Sequence, residues 1–215
     1  MRVDIWSDIR CPFCYIGKRK FEQALESFSN KDSIEIVWHS FQLDPGLKTQ
    51  PGLHTYDYLA QIKGMSRDQV VQMHDHVKQS AEEVGLTFDF DRAVVANSFH
   101  AHRLLQLARL HNRADAAEEH LFRAHFTEGK NIDDIPTLKK IGLAIGLEEA
   151  EVSETLSSQR FADKVQEDEI MARHIGIRGV PFFLFNNRFA VSGAQPPEVF
   201  LQTLEKAWAD ARQES

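Results

Sequence analysis

The spacing of apolar residues changes period twice along the chain and divides it into strand-rich ends around a helical middle. Val3-Asp4-Ile5-Trp6 is rich in strand formers, and the turn over 7–10 leads into a helix opening at Pro12. Proline suits the first helical position because its missing N–H would be unpaired there in any case. Ile16, Phe21, Leu25 and Phe28 then recur at roughly helical spacing, and Ile34-Glu35-Ile36-Val37-Trp38 follows as a second strand. A right-handed crossover makes those two strands parallel.

From residue 44 to about residue 178 the pattern is helix after helix. Ser66 with Gln69 has the spacing of a capping box for a helix reaching about Val84, with Gly85 placed to stop it. Asn97 reads as the N-cap of a helix over 98–111, in which Leu104, Leu105, Leu107 and Ala108 supply a buried stripe. Further helices fit 114–127, 136–145, 148–156 and 159–174, the last ended by Gly176. Strand signal returns at Pro181-Phe182-Phe183-Leu184-Phe185, where alternation puts Phe183 and Phe185 on one face and Phe182 on the other. Asn186-Asn187 tolerates positive φ, so a tight hairpin leads into Arg188-Phe189-Ala190-Val191. A closing amphipathic helix over 197–211 carries Val199, Phe200, Leu204 and Trp208.

Composition narrows the class of protein. The chain has 215 residues, of which 42% are hydrophobic and 27% charged, enough for a sizeable core without metal or disulfide support. A formal charge of -7 argues against a general nucleic-acid surface and against an anionic membrane as partner. No run of about 18 apolar residues suggests a span. A strand at the very start, with the cysteines arriving at residue 11, leaves no room for a secretory leader and points to the cytoplasm.

The chemistry centres on Cys11-Pro12-Phe13-Cys14, which holds the only two cysteines. In a reducing compartment an isolated CxxC is catalytic or metal-binding before it is a structural staple. Zinc needs four ligands, and no second pair is present; His74 and His76, like His100 and His102, are two apart on helices and point to different sides. No metal is therefore expected. At a helix N-terminus Cys11 is expected to be partly or mostly thiolate and to attack, with Cys14, one turn on, resolving.

An early CPFC at a helix start with Gly179-Val180-Pro181 opening a late hairpin resembles the thioredoxin superfamily, specifically its DsbA-like branch with a helical insertion. Ser7 to Gly17 (SDIRCPFCYIG), Phe41-Gln42-Leu43-Asp44-Pro45, and Asn97-Ser98 followed by Ala101-His102-Arg103 look like the cytoplasmic FrnE-like oxidoreductases. The resemblance implies an α/β thioredoxin-like domain from 1–43 and 179–215, discontinuous around an all-helical lobe at 44–178. It also implies a cis bond between Val180 and Pro181 facing the cysteines, so that Pro12, Phe13, Val180 and Pro181 border the substrate. His102 or Arg103, on the helix that begins at Asn97, would stabilise a thiolate or bind a substrate carboxylate; alternatively Asn97 only caps that helix while the other two pair across a lobe interface. Asp4 would be a buried proton acceptor for Cys14, as related enzymes carry an acid on the first strand.

The expected function is intracellular thiol-disulfide exchange on a disulfide-containing protein or a small-molecule thiol. No cofactor is required, and glutathione is a possible redox partner or co-substrate. Phe13 stands where secreted DsbA has a histidine, so a weaker oxidant is expected. Two other readings stay open: a glutathione-dependent isomerase similar to 2-hydroxychromene-2-carboxylate isomerase, whose family typically has a serine in place of Cys11, and a non-catalytic chaperone or interaction module.

Overall fold

Strand pairing between the two ends of the chain builds the sheet that carries the cysteines. The structure, a computed structural model, describes residues 1–213. Its contacts divide the chain into two compact units, Met1–Leu43 with Glu167–Ser215, and Asp44–Gln166.

In the first unit β1 (Arg2–Ser7), α1 (Pro12–Ser27) and β2 (Glu35–Ser40) form the expected crossover, with β1 and β2 parallel in register Val3 to Ile36 and Ile5 to Trp38. The C-terminal part adds β5 (Phe182–Phe185), β6 (Phe189–Ser192) and α9 (Pro197–Gln213), giving a four-stranded sheet in the order β2-β1-β5-β6. Asn186 and Asn187 both take positive φ in the β5–β6 turn, as their small polar side chains allow.

Alternation then sorts the side chains. Val3 and Ile5 pair across β1–β5 with Phe185 and Phe183 on the face covered by α1 and α9. There Phe21 meets Phe183 and Phe200 at centroid distances of 5.4 and 5.8 Å, a fully buried aromatic cluster in which each ring contributes about 2–3 kcal/mol. Asp4 and Trp6 point to the other face, where Trp6, Leu184, Ala172 and Ile177 form a second cluster with Phe41, Val180 and Phe182 packed against it.

That second cluster moves a boundary. The sequence pattern places α8 (Ala162–Ile175) whole in an inserted lobe ending at 178, but the chain from Glu167 onward belongs to the unit with the sheet. Ala172 and Ile177 share a buried cluster with Trp6, and Asp168 bonds His39, so burial overrides sequence position.

The inserted unit is mostly helical but not wholly so. It contains α2 (Thr55–Lys63), α3 (Arg67–Glu82), α4 (Phe99–Leu110), α5 (Ala114–Phe126), α6 (Ile135–Ala144), α7 (Glu149–Ser157) and the start of α8. It also contains a two-stranded antiparallel sheet of β3 (Gln50–His54) and β4 (Val94–Val95), which corrects the all-helical expectation. Pro51 and Gly52 lie within β3, both disfavoured in strands, and the register shifts between Gln50 and His54. The Ser66–Gln69 capping box is present, and Gly85 takes φ +75° just past α3. Among the described residues no helix is long and apolar enough to cross a membrane.

Candidate functional site

The turn after β1 delivers Cys11 to the N-cap of α1, with Pro12 in the first turn. Asp8 shapes that turn. Its carbonyl accepts from the Cys11 N–H at 2.9 Å, and its fully buried carboxylate accepts from the backbone of Arg10 at 3.2 Å and of Leu43 at 2.8 Å. One side chain thus ties the cysteine turn to the end of the β2 loop. Sequence reasoning passed over Asp8; the available signal was an Asp two residues before Arg10 in a turn, the setting for an Asx bond.

Cys11 has extended backbone angles, φ -92° and ψ 111°, and stands at the positive end of the α1 dipole, with no acidic residue in the first turn. Its thiol points to the Val180 carbonyl oxygen at 3.6 Å. Cys14 follows one turn later, its N–H donating to the Cys11 carbonyl at 3.0 Å. Both cysteines are free thiols and buried, at 5% and 1% exposure, while Phe13 between them is 46% exposed. Burial pushes the Cys14 thiol well above its ordinary pKa, and the Cys11 sulfur adds to this against hydrogen bonds from the Asp8 backbone and the Ser7 hydroxyl. The two sulfurs are therefore unequal: one is set at a helix end beside an open rim, the other is held protonated beneath it.

Val180-Pro181 is a cis peptide, and both residues line up against Cys11 and α1. A Cβ on Gly17 would lie 2.9 Å from Pro181 Cγ, so the proline ring sits directly on the glycine of the CPFCYIG segment. Cys11, Cys14, Val180 and Pro181 are thus brought together, with Phe13 at the rim.

The other candidates have these settings within their own units. Asp4 is not the acid beside Cys14. It lies three residues from Ser7 on a regular strand, hence on the opposite face, and its carboxylate is taken by Arg2 at 3.0 Å and by His39 at 2.7 Å. Asn97, His102 and Arg103 lie in the inserted unit. Asn97 Oδ1 accepts from the Phe99 N–H at 2.7 Å, so it caps α4 from one position further out than expected, Ser98 being the N-cap residue. Its amide also donates to the Leu47 carbonyl at 2.8 Å, and its N–H to Thr49 Oγ1 at 2.9 Å. His102 is fully buried on α4. Arg103, also fully buried, donates to the carbonyls of Thr155, Ser158 and Arg160, satisfying the C-terminal end of α7 and the turn beyond it. His74 and His76 diverge as helical spacing requires: His74 is buried against Phe90 at 4.1 Å, and His76 bonds the Gln72 carbonyl at the surface.

Comparison with known proteins agrees with this geometry. Residues 2–205 match the family model of a DSBA-like thioredoxin domain. The uncharacterized protein YwbO of Bacillus subtilis is 27% identical over 219 residues, which cover 98% of this chain and 96% of that protein. Among solved structures, a probable DsbA oxidoreductase from Streptomyces coelicolor is 38% identical and superposes with a TM-score of 0.91, covering 97% of this chain and 90% of its own. The cytosolic disulfide reductase DsbM from Pseudomonas aeruginosa shares the fold at 19% identity, TM-score 0.69, covering 97% and 99%.

Proposed function

We propose that this chain, which belongs to the DSBA-like thioredoxin domain family, is a cytoplasmic thiol-disulfide oxidoreductase in which Cys11 attacks and Cys14 resolves. The observation that carries the reading is the inequality of the two sulfurs: Cys11 at the helix end under the Val180 carbonyl, Cys14 buried and held protonated. In the reductive direction the Cys11 thiolate attacks one sulfur of a substrate disulfide, the substrate S–S bond breaks, and the departing sulfur takes up a proton. Cys14 then loses its proton and attacks Cys11 Sγ, forming the Cys11–Cys14 disulfide and releasing the second substrate thiol. Two electrons pass to the substrate, and the reverse sequence oxidises a dithiol.

Pro12, Phe13, Val180 and Pro181 border the substrate in this reading. An extended substrate would pair with the backbone at Val180 while Phe13 offers an apolar contact. Asn97 and Arg103 are left to hold the inserted unit, since their bonds account for their placement. The electron partner is a low-molecular-weight thiol such as glutathione; the fold-sharing DsbM, a cytosolic reductase, has been solved with GSH. A cysteine pair, with Cys11 where the isomerase family typically carries a serine, favours redox chemistry over isomerisation.

The test is alkylation and turnover together. Cys11→Ser should abolish reduction of a peptide disulfide, and Cys14→Ala should accumulate a mixed disulfide on Cys11. In the Cys11→Ser protein, the remaining Cys14 should alkylate with a midpoint well above the free-thiol value of about 8.5. Retained turnover in Cys11→Ser, or a Cys14 midpoint at or below that value, would overturn the assignment.

A further inference from the structure

On the face of the sheet away from Cys14 lies a buried ion cluster that the exchange chemistry does not use. His39 on β2 is enclosed between two carboxylates: Nε2 lies 2.7 Å from Asp4 Oδ1, and Nδ1 lies 2.7 Å from Asp168 Oδ1. All three side chains are buried. Asp4 is also gripped by the Arg2 guanidinium, and the second Asp168 oxygen accepts from the Ser40 N–H at 2.8 Å. Burial alone would raise the Asp4 carboxyl, but the hydrogen bonds from His39 and Arg2 outweigh it and hold Asp4 below the ordinary carboxylate range. A neutral imidazole has one acceptor nitrogen, which would then face a carboxylate oxygen at hydrogen-bond distance; only the imidazolium donates from both sides. With His39 charged, Arg2, His39, Asp4 and Asp168 sum to zero, the condition under which a buried ionic group is tolerated.

The cluster reaches the site through one ring. Trp6 stacks on the His39 imidazole, centroids 4.5 Å apart and planes 13° from parallel, and its indole N–H donates to the Asp168 carbonyl at 3.2 Å. The same indole belongs to the cluster against which Val180 and Phe182 pack. Val180 in turn presents the carbonyl that meets Cys11 Sγ. The groups form one packed series: the clamp, Trp6 with its cluster, Val180 packed against that cluster, and Cys11.

We propose that His39, clamped as an imidazolium between Asp4 and Asp168, is a positioning residue that fixes the plane of Trp6 and through it the Val180–Pro181 wall against which Cys11 and its substrate react. The inference rests on the exchange reaction at Cys11, and the experiment separates the two. If wild-type protein reduces no disulfide, the function fails; if it does, the role of His39 is decided by the variants and by the ring itself.

His39→Gln keeps hydrogen bonding but removes the charge, and Trp6→Phe keeps the clamp but changes the stacked surface. In either, kcat/KM for a peptide disulfide should fall by about fivefold or more, because the wall that aligns the substrate has shifted. Alkylation of Cys11 by iodoacetamide, which does not use that wall, should change by less than about twofold. A folded variant with wild-type exchange, or one that loses exchange and alkylation equally, would overturn the proposal. Nitrogen NMR of the wild-type ring needs no variant: both His39 nitrogens should be protonated at neutral pH, and a single protonated nitrogen would refute the clamp.

Discussion

Gly17→Ala sets two magnitudes against each other at the active-site helix. Gly17 lies within α1, three residues after Cys14, and alanine there is favoured by helix propensity by about 1 kcal/mol. The added Cβ would meet Pro181 Cγ at 2.9 Å, where ordinary contact begins at 3.4 Å, and it would also touch Ala194 Cα at 3.6 Å. A pyrrolidine ring cannot rotate aside as a long side chain would, so the overlap of about half an ångström must move backbone, at a cost of about 1–3 kcal/mol. The overlap outweighs the propensity, with a net loss of up to about 2 kcal/mol and a melting temperature lower by up to about 8 °C in a chain of this size. The segment that yields is the one whose Val180 carbonyl faces Cys11, so disulfide turnover should drop by about tenfold as the reacting groups lose alignment. Thermal melts and turnover of a peptide disulfide check both halves. A Gly17→Ala protein that melts higher than wild type with full turnover would show that helix propensity decides, and that the contact with Pro181 does not require glycine.

Two further outcomes concern the inserted unit. Burial against Phe90 and Tyr56, with Lys78 adding, pushes His74 down to about 4, so the native state keeps it neutral while the unfolded chain binds a proton below about 6.5. The resulting stability is present above pH 6.5 and is lost as pH falls toward 4; urea unfolding at pH 7.5 and 4.5 should show wild type losing about 2 kcal/mol more than His74→Phe, and equal losses would refute the assignment. Arg103→Met should cost about 2–4 kcal/mol by stranding the carbonyls of Thr155, Ser158 and Arg160, with KM for exchange unchanged. A KM increase without loss of stability would instead return Arg103 to substrate binding.

What could be read from sequence was whatever is encoded locally. The Ser66–Gln69 box, the Asn186-Asn187 turn, the opening strand–helix–strand and the cysteine turn all depend on residues within a few positions of one another. β3 was missed because Pro51 and Gly52 hide a strand that exists only by pairing with Val94–Val95. α8 was assigned to the wrong neighbours because Asp168 and Ala172 acquire their meaning from His39 and Trp6, more than a hundred residues away. Asp4 is the instructive case. It stands three residues from Ser7 in the sequence, and strand alternation alone separates it from the face that carries Cys14. The family pattern supplied an acid on the first strand, and parity says which face that acid serves.

The sheet that carries the cysteines is assembled from both ends of the chain, and that imposes an order of events during synthesis. β1 and α1 leave the ribosome some 170 residues before β5, so at about 5–20 residues per second the two thiols wait about 10–35 s for the strand and proline wall that complete their surroundings. In that interval residues 44–166, contiguous in sequence and one compact unit, emerge whole, while the nascent cysteines have a helix end but no wall. A thiol pair of this kind is born reactive before it is selective. Whatever protects or caps it on the ribosome acts on a species that the finished fold no longer contains.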